Sequence, residues 1–174
     1  MSTLYAVTVI GGDRPGIVAG VAHALYDCGC NLEDVSSTIL RGHFTMTLIV
    51  RGESSAAELE ERLTEATGEM GLIVAVREVE EENVEVVPPT HMLSVYGADK
   101  PGIVLRVTDA LARAGANITD LNSRVIGDAD QPVYALMLEV AWPGAPDGLQ
   151  ETLVPLVDEL GVELSVRPVD SDLL

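Results

Sequence analysis

Apolar residues alternate with a period of two in two segments of the chain, one in each half. The first segment has Phe44, Met46, Leu48 and Val50 at its apolar positions, and the second has Tyr134, Leu136, Leu138 and Val140. Since successive side chains of a strand point to opposite faces, alternation of this kind predicts a half-buried strand. The pattern therefore predicts one such strand in each half of the chain.

Each of these strands is preceded by a predicted strand and helix. Residues 4–10 are rich in β-branched and apolar side chains and predict a first strand. Apolar residues then recur at spacings of three and four, which predicts an amphipathic helix: Ile17, Val21, Leu25 and Cys28 in the first half, and Ile103, Val107, Leu111 and Ala114 in the second. Gly29 and Gly115 follow, where a left-handed helix stop is expected.

A second helix and a last strand are predicted after each alternating strand. Ser55 and Glu58 have the spacing of a capping box. The apolar stripes that follow are Leu59, Leu63 and Ala66 in the first half, and, after Asp147, Leu149, Leu153, Leu156 and Leu160 in the second. Pro155 lies inside the second stripe, where it should kink the helix or shift its start. Residues 72–76 and 162–166 predict the last strands.

The two halves repeat one sequence pattern. Residues 12–18 recur as 98–104, and residues 29–34 recur as 115–120, so that Asp13 and Asp99 are 86 residues apart. Later matches are 90 residues apart, and the four extra residues fall around 127–132, a longer hairpin loop. We therefore expect two domains, 1–86 and 92–174, joined by a linker at 87–91 that contains Pro88-Pro89. Each is an α+β βαββαβ unit of the ferredoxin-like type, an antiparallel sheet with both helices on one face.

Composition narrows the range of functions. The chain has 10 Lys and Arg against 28 Asp and Glu, and its net charge is −18. Direct binding of nucleic acid is not expected, because that binding relies on Lys and Arg. No apolar run approaches the roughly 20 residues of a membrane span, and the N-terminus does not resemble an export signal. With Cys28 and Cys30 as its two cysteines, the protein is predicted to be cytoplasmic.

The Asp-x-Pro-Gly turn before the first helix is the segment with the most chemistry. Asp13 is predicted to cap the helix amides, Pro15 to occupy an early helical position, and Gly16 to admit a close neighbour. Free amides at a helix start favour a carboxylate, and the amide of Asn31 offers both a donor and an acceptor. The alternative is purely structural: Asp13 as a cap, Gly16 as a packing residue and Asn31 as a turn former.

Catalytic and metal-binding residues are not predicted. His23, His43 and His91 are assigned to a helix, a strand start and the linker, and they share no spacing. Cys28-x-Cys30 alone is a weak metal signal, because zinc needs three or four protein ligands. Cys28 belongs to the apolar helix stripe and is predicted to be structural. We therefore expect a protein that is not an enzyme and that holds no metal or cofactor.

The Asp-x-Pro-Gly-Ile-Val turn, the Gly-x-Asn-Leu/Ile segment and the βαββαβ order resemble the ACT domain, a module that senses small molecules. Residues 28–34 resemble, more closely still, the family of glycine cleavage system transcriptional repressors. The resemblance implies a regulatory protein that binds a small amino acid of the glycine or serine type where two ACT domains meet. The turn would hold the carboxylate and the Asn segment the amino group. It also implies a protein partner such as a transcriptional activator.

The resemblance assigns equivalent ligand-binding residues to both copies. They are Asp13, Arg14, Pro15, Gly16, Ile17, Asn31 and Leu32 in the first copy, and Asp99, Lys100, Pro101, Gly102, Ile103, Asn117 and Ile118 in the second. Ala116 and Thr119 stand where the first copy has Cys30 and Glu33, so the two sites need not be equivalent. Two alternatives stay open: a ligand-independent interaction module, and a regulatory subunit of an enzyme of amino-acid metabolism. Open sheet edges would also allow a homodimer.

Overall fold

The computed structural model describes residues 2–80, 87–127, 132–145 and 147–169. The chain divides into two compact units, one in each half. Each unit has the predicted order of strand, helix, strand, strand, helix and strand. The predicted domain end at residue 86 and the extra loop residues 128–131 lie outside the described residues.

Each unit contains one four-stranded antiparallel sheet. The first unit consists of β1 (Thr3–Gly12), α1 (Ile17–Asp27), β2 (Asn31–Leu40), β3 (His43–Gly52), α2 (Ala56–Thr67) and β4 (Ile73–Val79). The second consists of β5 (His91–Gly97), α3 (Ile103–Arg113), β6 (Asn117–Ile126), β7 (Val133–Ala141), α4 (Gly148–Leu160) and β8 (Glu163–Pro168). The strand orders are β2-β3-β1-β4 and β6-β7-β5-β8. The predicted ferredoxin-like arrangement is therefore confirmed in both units.

The alternating strands supply the centre of each core. The four predicted apolar residues of β3 are all buried; in β7 Leu136, Leu138 and Val140 are buried and Tyr134 is half-buried. The helices cover this face with Ile17, Val21, Ala24 and Leu25 from α1 and with Ile103, Val107 and Leu111 from α3. Among the described residues, no helix of either unit packs on the other face of its sheet, and side chains on that face such as Ile10 and Met137 are exposed.

Helix α2 starts with the predicted capping box. The Ser55 hydroxyl accepts a hydrogen bond from the Glu58 N–H at 3.3 Å, and the Glu58 carboxylate accepts one from the Ser55 N–H at 3.0 Å. The predicted stripe is correct for Leu59 and Leu63 but wrong for Ala66, which is exposed. Thr67 is buried instead, since it lies one turn beyond Leu63 on the same face. Its hydroxyl donates to the Leu63 carbonyl at 2.7 Å, so burial leaves no unpaired polar group.

Pro155 is accommodated inside α4. The helix begins at Gly148, directly after Asp147, so its start is not shifted by the proline. Pro155 is exposed, and the Glu151 carbonyl, which loses its usual donor four residues later, lies on the same solvent side. The buried stripe of Leu149, Leu153 and Leu156 is uninterrupted.

The first helix of each unit stops at a left-handed glycine, as predicted. Gly29 has φ 69° and Gly115 has φ 75°. Cys28 and Cys30, on either side of Gly29, are half-buried against the core of the first unit. Burial raises the pKa of the Cys30 thiol above its usual value. This environment agrees with the predicted structural role of the cysteines.

Strands β2 and β6 form one edge of their sheets and share an irregularity. The pairing of β2 with β3 shifts between Leu32 and Asp34, which makes Glu33 a bulge residue. The pairing of β6 with β7 shifts at the equivalent place, between Ile118 and Asp120, around Thr119. All ten residues of β2 are exposed. A bulge at the same position in both copies marks a shared feature of this edge.

Candidate functional site

Both predicted ligand turns end in an exposed glycine that begins a helix. Gly16 is the N-cap residue of α1, with φ 93°, and Gly102 is the N-cap residue of α3, with φ 98°. A Cβ atom at either position would meet no atom within 4 Å. Neither helix start receives a side-chain cap. The first-turn amides of these helices therefore have no side-chain cap, and the space beside each glycine is open.

Asp13 is predicted to cap α1 and Pro15 to lie within its first turn; both predictions are wrong. Gly16 is the N-cap residue, so Pro15 precedes the helix and Asp13 lies three residues before the cap. The main-chain N–H of Asp13 donates to the Gly42 carbonyl at 2.8 Å and extends the β1–β3 pairing. Asp13 remains an exposed carboxylate beside the turn.

The basic residue of each turn points to the second helix of its own unit. The Arg14 guanidinium donates to the Glu69 carbonyl at 3.4 Å, in the short helical turn after α2. A Cβ atom added at Gly161, the C-cap residue of α4, would lie 3.9 Å from the Lys100 Nζ. The carbonyl end of a helix attracts positive charge, and both basic groups have the role of placing positive charge near that end. The sequence pattern did not reveal this role.

Ile17 and Ile103 contribute to a site only through the backbone. Both side chains are 2% exposed and belong to the cores. Leu32, by contrast, is exposed, and Ile118 is half-buried. A ligand at the turn therefore meets the main-chain amides of these isoleucines rather than their side chains.

The two predicted halves of the site lie at opposite ends of the sheet within one unit. Asn31 pairs with Arg51 of β3, whereas Gly12, at the start of the turn, pairs with His43. The two pairs are eight residue positions apart along β3, a distance of about 27 Å along the strand. Asn117 and the Gly102 turn of the second unit are separated in the same way, because Asn117 pairs with Ala141 and Gly97 with Tyr134.

The surroundings of Asn31 and Asn117 differ in charge. Arg51 donates to the carboxylate of Glu33 from Nε at 2.6 Å and from Nη2 at 3.4 Å. Thr119 and Ala141 occupy the equivalent positions in the second unit. The sequence comparison identified the change from Glu33 to Thr119 but not the partner of Glu33.

The remaining residues considered for catalysis or metal binding have surroundings that indicate a structural role. His91 is the first residue of β5 rather than part of the linker, is buried, and has Nδ1 2.8 Å from the Thr90 Oγ1. Among the described residues, no group of three or more His, Cys, Asp or Glu side chains is arranged to hold a metal ion. In that same part of the chain, no helix is long and apolar enough to cross a membrane.

Comparison with known proteins gives matches along both halves. Models of the ACT domain match residues 4–77 and residues 91–141. The UPF0237 protein MK1213 of Methanopyrus kandleri is 44% identical over 78 residues, which cover 43% of this chain and 87% of that protein. The glycine cleavage system transcriptional repressor of Escherichia coli is 26% identical over 169 residues, covering 94% of this chain and 89% of the repressor. A crystal structure of an unknown protein from Galdieria sulphuraria superposes with a TM-score of 0.81 at 27% identity and covers 98% of this chain and all of that one.

Proposed function

Because this chain belongs to the ACT domain family, with one copy of the domain in each half, we propose that it is a regulatory protein that senses a small amino acid of the glycine or serine type. One observation carries this proposal. Helices α1 and α3 both begin at an exposed glycine of positive φ with no side-chain cap, and a Cβ atom added at either glycine would meet no neighbouring group within 4 Å. An amino-acid carboxylate is the ligand group that such helix starts attract.

The amino group of the ligand would be held by the side-chain amide of Asn31 or Asn117. An amino acid is far too short to span the distance of about 27 Å between turn and amide in one unit. We therefore propose that each site takes its turn from one ACT domain and its Asn segment from another. Strands β2 and β6 are exposed edge strands, and each begins at its Asn. If two such edge strands paired antiparallel, the start of one would lie beside the end of the other, which supports this arrangement.

The output of the sensor is proposed to be a protein partner. The Escherichia coli relative is named a transcriptional repressor, and a net charge of −18 opposes direct contact with nucleic acid. We infer that this protein acts in the cytoplasm on a partner such as a transcriptional activator, and without catalysis. The ligand changes partner binding only if it binds one domain arrangement more tightly than another.

Thermal unfolding of the full chain against a panel of free amino acids tests the proposal. A ligand at about 100 times its dissociation constant adds about 2.7 kcal/mol to the free energy of unfolding. For a chain of this length the midpoint should rise by roughly 5–10 °C, with glycine or serine giving the largest rise. Gly16→Val and Gly102→Val, each compared with its own ligand-free midpoint, should reduce the rise. No rise for any amino acid at millimolar concentration would reject the sensor and favour a ligand-independent interaction module.

A further inference from the structure

The open sheet face of the second unit carries a row of three neighbouring side chains, an aromatic one, a small one and a basic one. Ala135 on β7 pairs with Tyr96 on β5 and with Arg124 on β6. Ala135 is only 8% exposed although it lies on the sheet face without a helix, and the much larger Tyr96 and Arg124 side chains flank it. The row therefore forms a depression with a small residue at its floor.

This depression is part of a concavity of about 460 Å³. Arg124 and Tyr96 line its sides, Met92 and Met137 lie toward one end, and Ile126 lies toward the other. Volumes of this size are typical of small-molecule sites, which combine an apolar lining with a few polar groups. The lining fits a compact organic molecule with an apolar body.

The width of the depression suits the thickness of one flat aromatic ring system. Arg124 and Tyr96 are each one strand away from Ala135, so their backbones are about 9.6 Å apart. A ring between them can contact the phenol on one side and the guanidinium on the other. Within the described residues the Arg124 guanidinium forms no ion pair and no hydrogen bond, so it is available to a ligand.

The first unit shows that this row is not required by the fold. At the equivalent register positions it has Ile10, Thr45 and Thr38, paired with one another in the same way. The two copies therefore share the backbone arrangement but not the side chains of the row. The Arg–Ala–Tyr combination is specific to the second unit.

We propose that the open sheet face of the second unit binds a flat aromatic or heteroaromatic monocarboxylate. Its ring lies over Ala135 between Tyr96 and Arg124, and its carboxylate accepts hydrogen bonds from the Arg124 guanidinium. Asp120 and Glu139 pair across the strands near Met92, and they repel a second negative group at that end. This site is separate from the helix-start turns and does not depend on the proposed amino-acid sensing.

The methionine methyl groups allow a direct test on the full chain. Of the five methionines, Met92 and Met137 line the concavity, whereas Met46 and Met70 pack in the first unit. Titration of methyl-labelled protein with 2-naphthoate should shift the Met92 and Met137 signals saturably, because a stacked ring changes their magnetic environment. The Met46 and Met70 signals should stay in place.

Charge-matched probes and residue swaps sharpen the test. The neutral 2-naphthylmethanol should bind more weakly than 2-naphthoate, and 2-naphthylmethylammonium more weakly still. Arg124→Thr, which inserts the first-unit residue, should weaken 2-naphthoate binding about tenfold and remove its advantage over the neutral probe. Ala135→Thr should fill the floor and abolish the saturable shift. Thr45→Ala, the matched change in the first unit, should leave the affinity unchanged.

Three outcomes would overturn the proposal. One is a shift of Met46 or Met70 as large as that of Met92, which would indicate unspecific binding. Another is tightest binding by the ammonium probe, which would show that Asp120 and Glu139 rather than Arg124 select the ligand. The third is unchanged affinity in Arg124→Thr. None of these results depends on whether glycine or serine raises the unfolding midpoint.

Discussion

Arg51 donates hydrogen bonds from two nitrogens of its guanidinium to the carboxylate of Glu33, the bulge residue of β2. The pair stands at the end of the sheet where Asn31 begins its strand. Thr119 and Ala141 replace it in the second unit, so an ion pair adjoins one Asn segment and neutral side chains adjoin the other. The two units are therefore electrostatically different at the positions where an amino group is proposed to bind.

A double-mutant cycle of Glu33→Gln and Arg51→Gln should give a coupling energy of about 0.5 kcal/mol. The pair is partly exposed, with side chains 34% and 26% accessible, so solvent weakens the attraction. The coupling should fall as salt is added, because screening acts on exposed charges. Urea unfolding at low and high ionic strength measures it, with Glu53→Gln as a control for an exposed carboxylate. A coupling that does not respond to salt would contradict an electrostatic origin.

Gly16→Ala should lower the free energy of unfolding by about 1–2 kcal/mol, because an L-residue is strained at φ 93°. The open space around the site gives no other source of strain. Gly12→Ala is the matched control, since Gly12 is equally open but does not have a positive φ. Chemical denaturation of both variants checks the prediction. Equal stabilities would show that the helix start relaxes to an ordinary backbone conformation.

Ser55→Ala should destabilise the first unit by about 1 kcal/mol, because α2 loses its N-cap hydrogen bond. Ser37→Ala, on the exposed strand β2, is the control and should have little effect. Unfolding monitored by circular dichroism measures both. A loss in Ser37→Ala as large as that in Ser55→Ala would remove the capping box as the cause.

Glu58→Gln should change how stability depends on acid. The hydrogen bond from the Ser55 N–H, followed by that from the Ser55 hydroxyl, lowers the pKa of Glu58 in the folded chain. The ionised carboxylate therefore stabilises the fold above its unfolded pKa, and this contribution is lost as the pH falls through the folded pKa. Wild type should exceed Glu58→Gln in stability near neutral pH, and the gap should close on acidification. A gap that widens in acid would contradict this sign.

Pro155→Ala should stabilise the second unit by about 2 kcal/mol. The alanine restores an N–H donor to the Glu151 carbonyl and removes the intrinsic penalty of proline inside a helix. A small part of the gain is offset because the unfolded chain becomes more flexible. Asp158→Ala, an exposed change in the same helix, is the control. A destabilised Pro155→Ala would mean that the ring makes a contact that α4 needs.

The duplication and the strand alternation were enough to predict both sheets, both helix pairs and the αL stops at Gly29 and Gly115. The local sequence pattern was insufficient to predict features that depend on tertiary structure. Asp13 has a side chain that commonly caps helices, but the N-cap residue of α1 is Gly16, three residues later, with a positive φ. Thr67 is a polar residue, so the sequence pattern did not place it in the core. It is buried in place of the predicted Ala66 because its hydroxyl donates a hydrogen bond to the Leu63 carbonyl of the same helix. The separation of Gly16 from Asn31 depends on strand register, which neither segment encodes by itself.

The full exposure of β2 also has a consequence for hydrogen exchange. Along an edge strand, amides directed at the neighbouring strand are held in the ladder, and the alternate amides point into solvent. Exchange along β2 should therefore alternate between slow and fast from one residue to the next. When a second strand pairs with this edge, the fast-exchanging amides become slow, and the alternation in exchange rate disappears. The amides of β2 thus record assembly of the protein without any added label.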